Sequence, residues 1–288
     1  MLRACIDIGS NTTRLLVADL VDGRLTECRQ ERAFTQIGRS LDAAGAIPAM
    51  KLAEVAAVVA RHLAVAREAG AEQVRCVATA GVRRATNGAA LVELIASTCD
   101  GLEVEVLSGA DESRLAFIGA AWGAGGGSDV VGVVDAGGGS SELAVGQPPD
   151  RLRWWVSLPL GSGDITAHWQ SSGPPPAIEI ERAREHVRAA FAPARPPKVE
   201  RVIAVGGSAT TMRLLAGSVL DADAFRGLLG TVQRFSPPEL AARFGIDVQR
   251  AELLPGGLVL LEAISELFQA PLEIGRGGLR EGLLLDYQ

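Results

Sequence analysis

Residues 5–18 (CIDIGSNTTRLLVA) and residues 133–146 (VVDAGGGSSELAVG) can be laid over each other without a gap. Asp7 then meets Asp135, Gly9 meets Gly137, Thr12 and Thr13 meet Ser140 and Ser141, Leu15 meets Leu143, and Val17 meets Val145, at an offset of 135 − 7 = 128. Each copy reads as an apolar strand ending in Asp, a tight turn of glycine and small hydroxyl residues, and a second strand, which is the pattern of a β-hairpin. Such a turn can aim several backbone N–H groups and hydroxyls at one anion. Structural turns also use glycine for positive φ. The shared Asp argues for more, because an acid at the end of a buried strand is costly unless paired, hydrogen-bonded or bound to a metal. Two copies in one chain predict two similar domains facing each other across a cleft.

The rest of the chain fits that division. Runs dense in Val, Ile and Leu at 4–8, 15–20, 74–79, 104–107, 130–135, 143–146, 152–157 and 202–205 predict strands. Residues 48–69 carry an apolar stripe of Leu52, Val55, Val58, Val59, His62, Leu63 and Val65, with Pro48 near the helix start. Further helices are expected at 88–98, 110–122, 177–191, 209–216, 237–244, 256–268 and 278–285. Strands alternating with helices predict an α/β protein with mixed sheets. The punctuation is strongest at 123–128 (GAGGGS), 171–176 and 193–197. The first of these divides the chain into expected domains at 1–124 and 125–288, with the last helix packing back on the N-terminal one.

Composition excludes several functions. With 28 basic against 34 acidic residues the net charge is −6, which speaks against a broad basic face for nucleic acid. Only Lys51 and Lys198 are lysines, so 28 − 2 = 26 cations are arginines, suited to bidentate phosphate contacts. Cys5, Cys28, Cys76 and Cys99 form no C-x-x-C pair, and His62, His168 and His186 have no metal-ligand spacing. A reduced, cytoplasmic protein is expected, and any metal should be a hard, oxygen-bound one. No signal-like start and no apolar run of about 18 residues is present, so no membrane association is expected. The 34 glycines include clusters at 123–127, 137–139, 206–207, 256–257 and 275–278. In the pair Trp154–Trp155 the alternation of strand faces predicts one core ring and one exposed ring.

Seven segments, IDIGSNTTRLLVA, AGVRRATNG, LSGADESRLAFIG, VVDAGGGSSEL, SLPLGSG, AVGGSATTMRLL and GLREGLL, follow one another along nearly the whole chain. In order and spacing they resemble the exopolyphosphatase and guanosine pentaphosphate phosphatase family. The resemblance implies two ribonuclease-H-like domains of the actin, Hsp70 and sugar-kinase superfamily, with the active site in the interdomain cleft. It also implies release of terminal orthophosphate from inorganic polyphosphate or a guanosine polyphosphate nucleotide, and a homodimer.

Phosphoanhydride hydrolysis needs an in-line water, a base for its proton, and cations or donors for the phosphoryl oxygens. Asp111–Glu112 opens a helix, where acids commonly serve only as caps. The resemblance makes Glu112 the water-activating carboxylate. Asp135 and Glu142 bracket the GGGSS turn and would repel a phosphate unless a divalent cation lay between them. Mg2+ is the expected ion, with Mn2+ as the alternative, and a monovalent cation is a further candidate. Asp7 either contacts the metal through water or caps its own turn. Ser10, Asn11 and Thr12 on one wall, and Gly137, Gly138, Gly139, Ser140 and Ser141 on the other, are expected to hold phosphates. Arg14 takes the place of Glu142 in the first copy, giving one cationic lip and one metal-binding lip. Arg83 sits where the resemblance places a substrate-contacting arginine, and Arg84 is expected to be solvated. Gly207 and Ser208 follow a strand and open a helix, a layout that brings amides to a ligand, with structural close packing as the alternative. Arg280 is expected to brace the domain interface.

The chain departs from the family pattern at Arg39, where many members carry an acid, and at Asp164, where a basic or amide residue is frequent. Both bear on substrate preference. After GLREGLL too few residues follow for the extra helical domains of long members, which fits a short, distributive or nucleotide-directed phosphohydrolase. A catalytically poor sensor of guanosine tetraphosphate or polyphosphate is the alternative from another class; retention of Glu112, Asp135 and Glu142 argues against it. An ATP-dependent sugar or acetate kinase would need an acceptor-binding motif that is not found.

Overall fold

The computed structural model describes residues 1–22, 24–124, 129–167, 169 and 173–286. The first half runs β1 (Leu2–Ile8), β2 (Thr13–Val21), β3 (Arg24–Ala33), α1 (Ile37–Ser40), α2 (Ala49–Glu68), β4 (Gln73–Ala78), α3 (Ala80–Arg83), α4 (Gly88–Thr98) and β5 (Val104–Val106). A connecting helix α5 (Gly109–Gly123) leads to β6 (Val131–Ala136), β7 (Ser141–Gln147), β8 (Arg151–Leu158), α6 (Ser162–Ala167) and α7 (Ala177–Phe191). There follow β9 (Val202–Val205), α8 (Gly206–Ala216), β10 (Val219–Leu220), α9 (Ala222–Val232), α10 (Pro237–Phe244), α11 (Val248–Phe268), β11 (Leu272–Ile274) and α12 (Leu279–Leu285).

The two sheets have the same topology. One is ordered β3-β2-β1-β4-β5, and the other β8-β7-β6-β9-β11 with β10 added at its edge. In each, the first strand pairs antiparallel with the second and parallel with the strand that returns after the helices. Asp7 stands opposite Val77 across β1–β4 and Asp135 opposite Val205 across β6–β9, so the offset 205 − 77 = 128 persists into the fourth strand of each lobe. The repeat therefore covers the sheet centres as well as the hairpins, as two ribonuclease-H-like lobes require.

Each lobe has its own core. Ile6, Ile8, Leu15, Val59 and Ile95 pack inside the first, and Val134, Leu143, Phe191, Leu258 and Phe268 inside the second. Helix α5 joins them, because Leu115 packs with Cys5, Leu16 and Val77 behind the first sheet while Phe117 and Ala120 pack with Val133 and Ile203 behind the second. The last helix, α12, closes the core behind the first sheet with Leu283 and Leu284. Its Gly282 touches α5 so closely that a Cβ there would collide with the Leu115 carbonyl. Arg114 of α5 clamps Asp286 through two bonds of 2.6 and 2.7 Å. Trp154 packs against the second core and Trp155 is exposed, as the alternation predicts.

Differences from the sequence expectation have physical causes. Strand β3 (RLTECRQERA) was not expected, because as an edge strand it is largely exposed and nearly without apolar residues. Helix α11 begins at Val248 and not at 256, and it carries Pro255 in its interior. Proline marks a boundary locally, but burial of Ala251 and Leu254 carries this helix through it. Helices α1, α3, α6 and α9 and the short strands β10 and β11 were also unexpected. The expected division falls at residues 125–128, outside the described residues, as do residues 171–172 of the second loop and His168.

Candidate active site

The two hairpin turns are built alike. Gly9 N donates to the Thr12 carbonyl and Gly137 N to the Ser140 carbonyl, both at 3.0 Å. Directly across the strands, Asp7 faces Arg14 in the first hairpin and Asp135 faces Glu142 in the second. Each turn is held from behind by a short helix: Gly38 N at the start of α1 donates to the Ser10 carbonyl at 2.8 Å, and Gly163 N of α6 to the Gly138 carbonyl at 2.9 Å. The turns abut, since a Cβ on Gly138 would lie 3.1 Å from that of Asn11. A side chain there would press on Asn11 across the lobes.

Between the hairpins lies a cleft lined by Asp7, Ser10, Asn11, Thr12, Arg14, Glu112, Asp135, Gly137, Gly138, Gly139, Ser140, Glu142, Gly207 and Ser208. These expected site residues are thus brought together from both lobes. The N-terminus of α8 also opens into it, where free amides and the helix dipole favour an anion. Gly206, at φ 89°, turns the chain into that helix, and a Cβ there would collide with Asp135 Oδ1.

Four acids of the cleft share one electrostatic condition. Burial, with the charges of Asp135 and Asp7 behind it, pushes Glu112 up to about 7 against the opposing hydrogen bond and charge of Arg83. Burial and then Asp7 raise Asp135 to about 6, while Arg14 pulls it down. Glu142 is raised well above the usual range by burial and by Glu112 and Asp135. Asp7 is raised by burial, and its Oδ1 is buried with no hydrogen-bond partner among the described residues. The cations press on one another as well: burial and the neighbouring Arg280 lower Arg14 to about 9.

Several expected residues stand elsewhere. Ser141 is buried and its Oγ donates to the Leu160 carbonyl at 2.7 Å, so it ties the turn to its own lobe and does not line the cleft. Its counterpart Thr13 bonds Thr35 at 3.0 Å. Arg83 does not line the cleft; it donates to Glu112 and, at 2.6 Å, to the Leu107 carbonyl. Arg84 is not merely solvated, because its Nη2 donates to Asp164 Oδ1 at 3.1 Å across the lobes. Arg39 likewise reaches Glu252 at 2.9 Å. Both departures from the family pattern are therefore halves of interlobe ion pairs. Arg280 does line the cleft, together with Arg250 and Arg276, which sequence reasoning missed. Only GLREG marked one of the three; Arg250 is brought in by the unexpected first turn of α11.

A divalent cation fits this donor set. Among the described residues no three acidic, histidine or cysteine side chains converge as a closed ligand cage. Magnesium does not require one, being held by one or two carboxylates with water and substrate phosphates. The cross-strand pair Asp135 and Glu142, both destabilised as anions, could supply those two, and the unpartnered Asp7 oxygen stands on the opposing hairpin.

A family model described as the Ppx/GppA phosphatase family matches residues 16–288. Exopolyphosphatase 2 of Mycobacterium tuberculosis is 28% identical over 98% of this chain and 96% of its own length. Exopolyphosphatase 1 of Mycobacterium leprae is 26% identical over 97% of this chain and 87% of its own. The crystal structure of the Aquifex aeolicus Ppx/GppA family member superimposes with a TM-score of 0.83 at 28% identity, covering 99% of this chain and 96% of that one.

Proposed function

This chain belongs to the Ppx/GppA phosphatase family, and we propose that it releases terminal orthophosphate from inorganic polyphosphate, with Glu112 as the base that activates water. The observation that carries this reading is the buried carboxylate of Glu112, raised by that burial to about 7, lining one cleft with two opposed hairpin turns of glycine and hydroxyl residues. A base of that pKa is matched to proton transfer at neutral pH.

The turn amides from Gly137 to Gly139, the hydroxyls of Ser10, Thr12 and Ser140, and the open end of α8 orient the terminal phosphate. Arg14 and Arg280 offset its charge. Glu112 takes the proton of water as its oxygen bonds to phosphorus, and the bridging P–O bond breaks so that the shortened chain leaves with the electron pair. Arg83 holds Glu112 in place from behind. Asp135 and Glu142 would hold the metal, with Asp7 on the opposing hairpin as a further acid for it, and Mg2+ or Mn2+ there would supply positive charge to the phosphoryl oxygens. The four free cysteines suit a cytoplasmic setting, and no helix among the described residues is long and apolar enough to cross a membrane. A homodimer is part of the proposal by analogy with the family.

Phosphate release from polyphosphates of several lengths, guanosine pentaphosphate and ATP, with and without Mg2+, tests the reading. Divalent-dependent release from polyphosphate is expected. Preferential release from guanosine pentaphosphate would make the chain a nucleotide phosphatase, and binding without release would make it a sensor.

A further inference from the structure

Strand β8 runs past both walls of the catalytic centre at one residue. Ser157 stands opposite Glu142 in the β7–β8 ladder, and its Oγ donates to Glu142 Oε1 at 2.8 Å. The same side chain abuts the first residue of α5: a Cβ built on Gly109 would lie 2.5 Å from the Ser157 Cβ and 2.6 Å from its Oγ. Glu112 lies three residues further along that helix. The glycine lets helix and strand meet at the serine, so one small side chain touches the carboxylate of one lobe and the helix bearing the base. Ser157 itself does not line the cleft.

We propose that Ser157 is a positioning residue, whose hydroxyl fixes the Glu142 carboxylate and whose contact with Gly109 sets the spacing between that carboxylate and the helix of Glu112. A glutamate has three rotatable side-chain bonds, and anchoring one oxygen to a strand neighbour removes freedom that metal binding would otherwise have to remove. The ladder holds the donor in register, so the anchor sits on a rigid element. Loss of such an outer partner typically weakens metal binding 10- to 100-fold. The inference rests on the reading of Glu142 as a metal ligand.

Mn2+ binding to the substrate-free protein, followed by electron paramagnetic resonance for wild type, Ser157→Ala, Glu142→Gln and the double variant, tests it. Ser157→Ala is expected to weaken Mn2+ binding by about tenfold, and Glu142→Gln by at least as much. The double variant should bind no more weakly than Glu142→Gln alone, because the serine acts through the glutamate. At saturating metal the KM for polyphosphate of Ser157→Ala should stay within about twofold of wild type, since a residue outside the cleft makes no substrate contact to lose. Wild-type affinity in Ser157→Ala alongside loss in Glu142→Gln would overturn the role of Ser157 and leave Glu142 as a ligand. Independent, multiplying losses would overturn it too. Unchanged binding in Glu142→Gln, or none in wild type, would overturn the parent reading and this inference with it.

Discussion

Arg83 donates to Glu112 across a gap between two connecting elements, α3 and α5, and the same Nη1 also donates to the Leu107 carbonyl. The arginine opposes the burial that raises Glu112 and so holds it near 7, not higher.

The activity of the wild type should therefore rise with pH through about 7 as Glu112 loses its proton. Replacing Arg83 by Gln removes a neighbour that favours the ionised base, so the acid limb of kcat/KM should move to higher pH. At pH 7 the rate should fall by about fivefold for a one-unit rise, because half of the base is ionised there in the wild type. A pH profile of kcat/KM checks this, and an unmoved limb in Arg83→Gln would rule out the pairing as the tuning device.

Burial raises Asp135 to about 6 and Glu112 to about 7, so the folded state holds these protons more tightly than the unfolded chain does. The sign follows from linkage: the stability contributed by these two acids without divalent ions falls as pH rises from about 4 to about 7. Asp135→Asn should remove part of the slope and be more stable than wild type at pH 8 by roughly 2 kcal/mol. Urea melts of both proteins at pH 5 and pH 8 measure the difference, and parallel wild-type and variant curves would contradict it.

Gly206→Ala joins two penalties, a left-handed backbone at φ 89° and a collision with Asp135 Oδ1. A loss of about 1–3 kcal/mol is expected, together with a fall in kcat as Asp135 is displaced. Denaturant melts with kinetics on the same preparation check both, and a variant with native stability would show that the turn relaxes.

Much of this site is legible in the sequence, because the hairpins combine a buried Asp, a run of glycine and hydroxyl residues, and two apolar strands, and they do so twice. Asp7 and Asp135 come to equivalent places for that reason. The motif order brings in Glu112, which its own helix start would have marked only as a cap. Other parts lie beyond local pattern. Strand β3 hides behind its charges, and α11 runs through a proline where the sequence predicts a start. Ser141 reads like its neighbours yet points to Leu160, because along a strand successive side chains take opposite faces. Arg84, Arg39 and Asp164 find partners only once the lobes meet.

Those partners share a polarity: Arg32–Asp247, Arg39–Glu252 and Arg84–Asp164 all set an arginine of the first lobe against an acid of the second. The side chains are partly exposed, so each pair should contribute no more than about 1 kcal/mol. Arg39→Glu should lower the melting temperature modestly at low salt and hardly at 1 M salt, and Arg39→Glu with Glu252→Arg should restore it. Melting curves across ionic strength test this, and an equal loss at both salt concentrations would contradict the ion-pair account.

The most direct measurement is kcat for Glu112→Gln at saturating polyphosphate and Mg2+, beside a polyphosphate-binding isotherm for the same variant. With Glu112 as the base, kcat should drop by about 10²–10⁴ while polyphosphate binding persists. A kcat within a few-fold of wild type would contradict the assignment and move the search for the base elsewhere in the cleft.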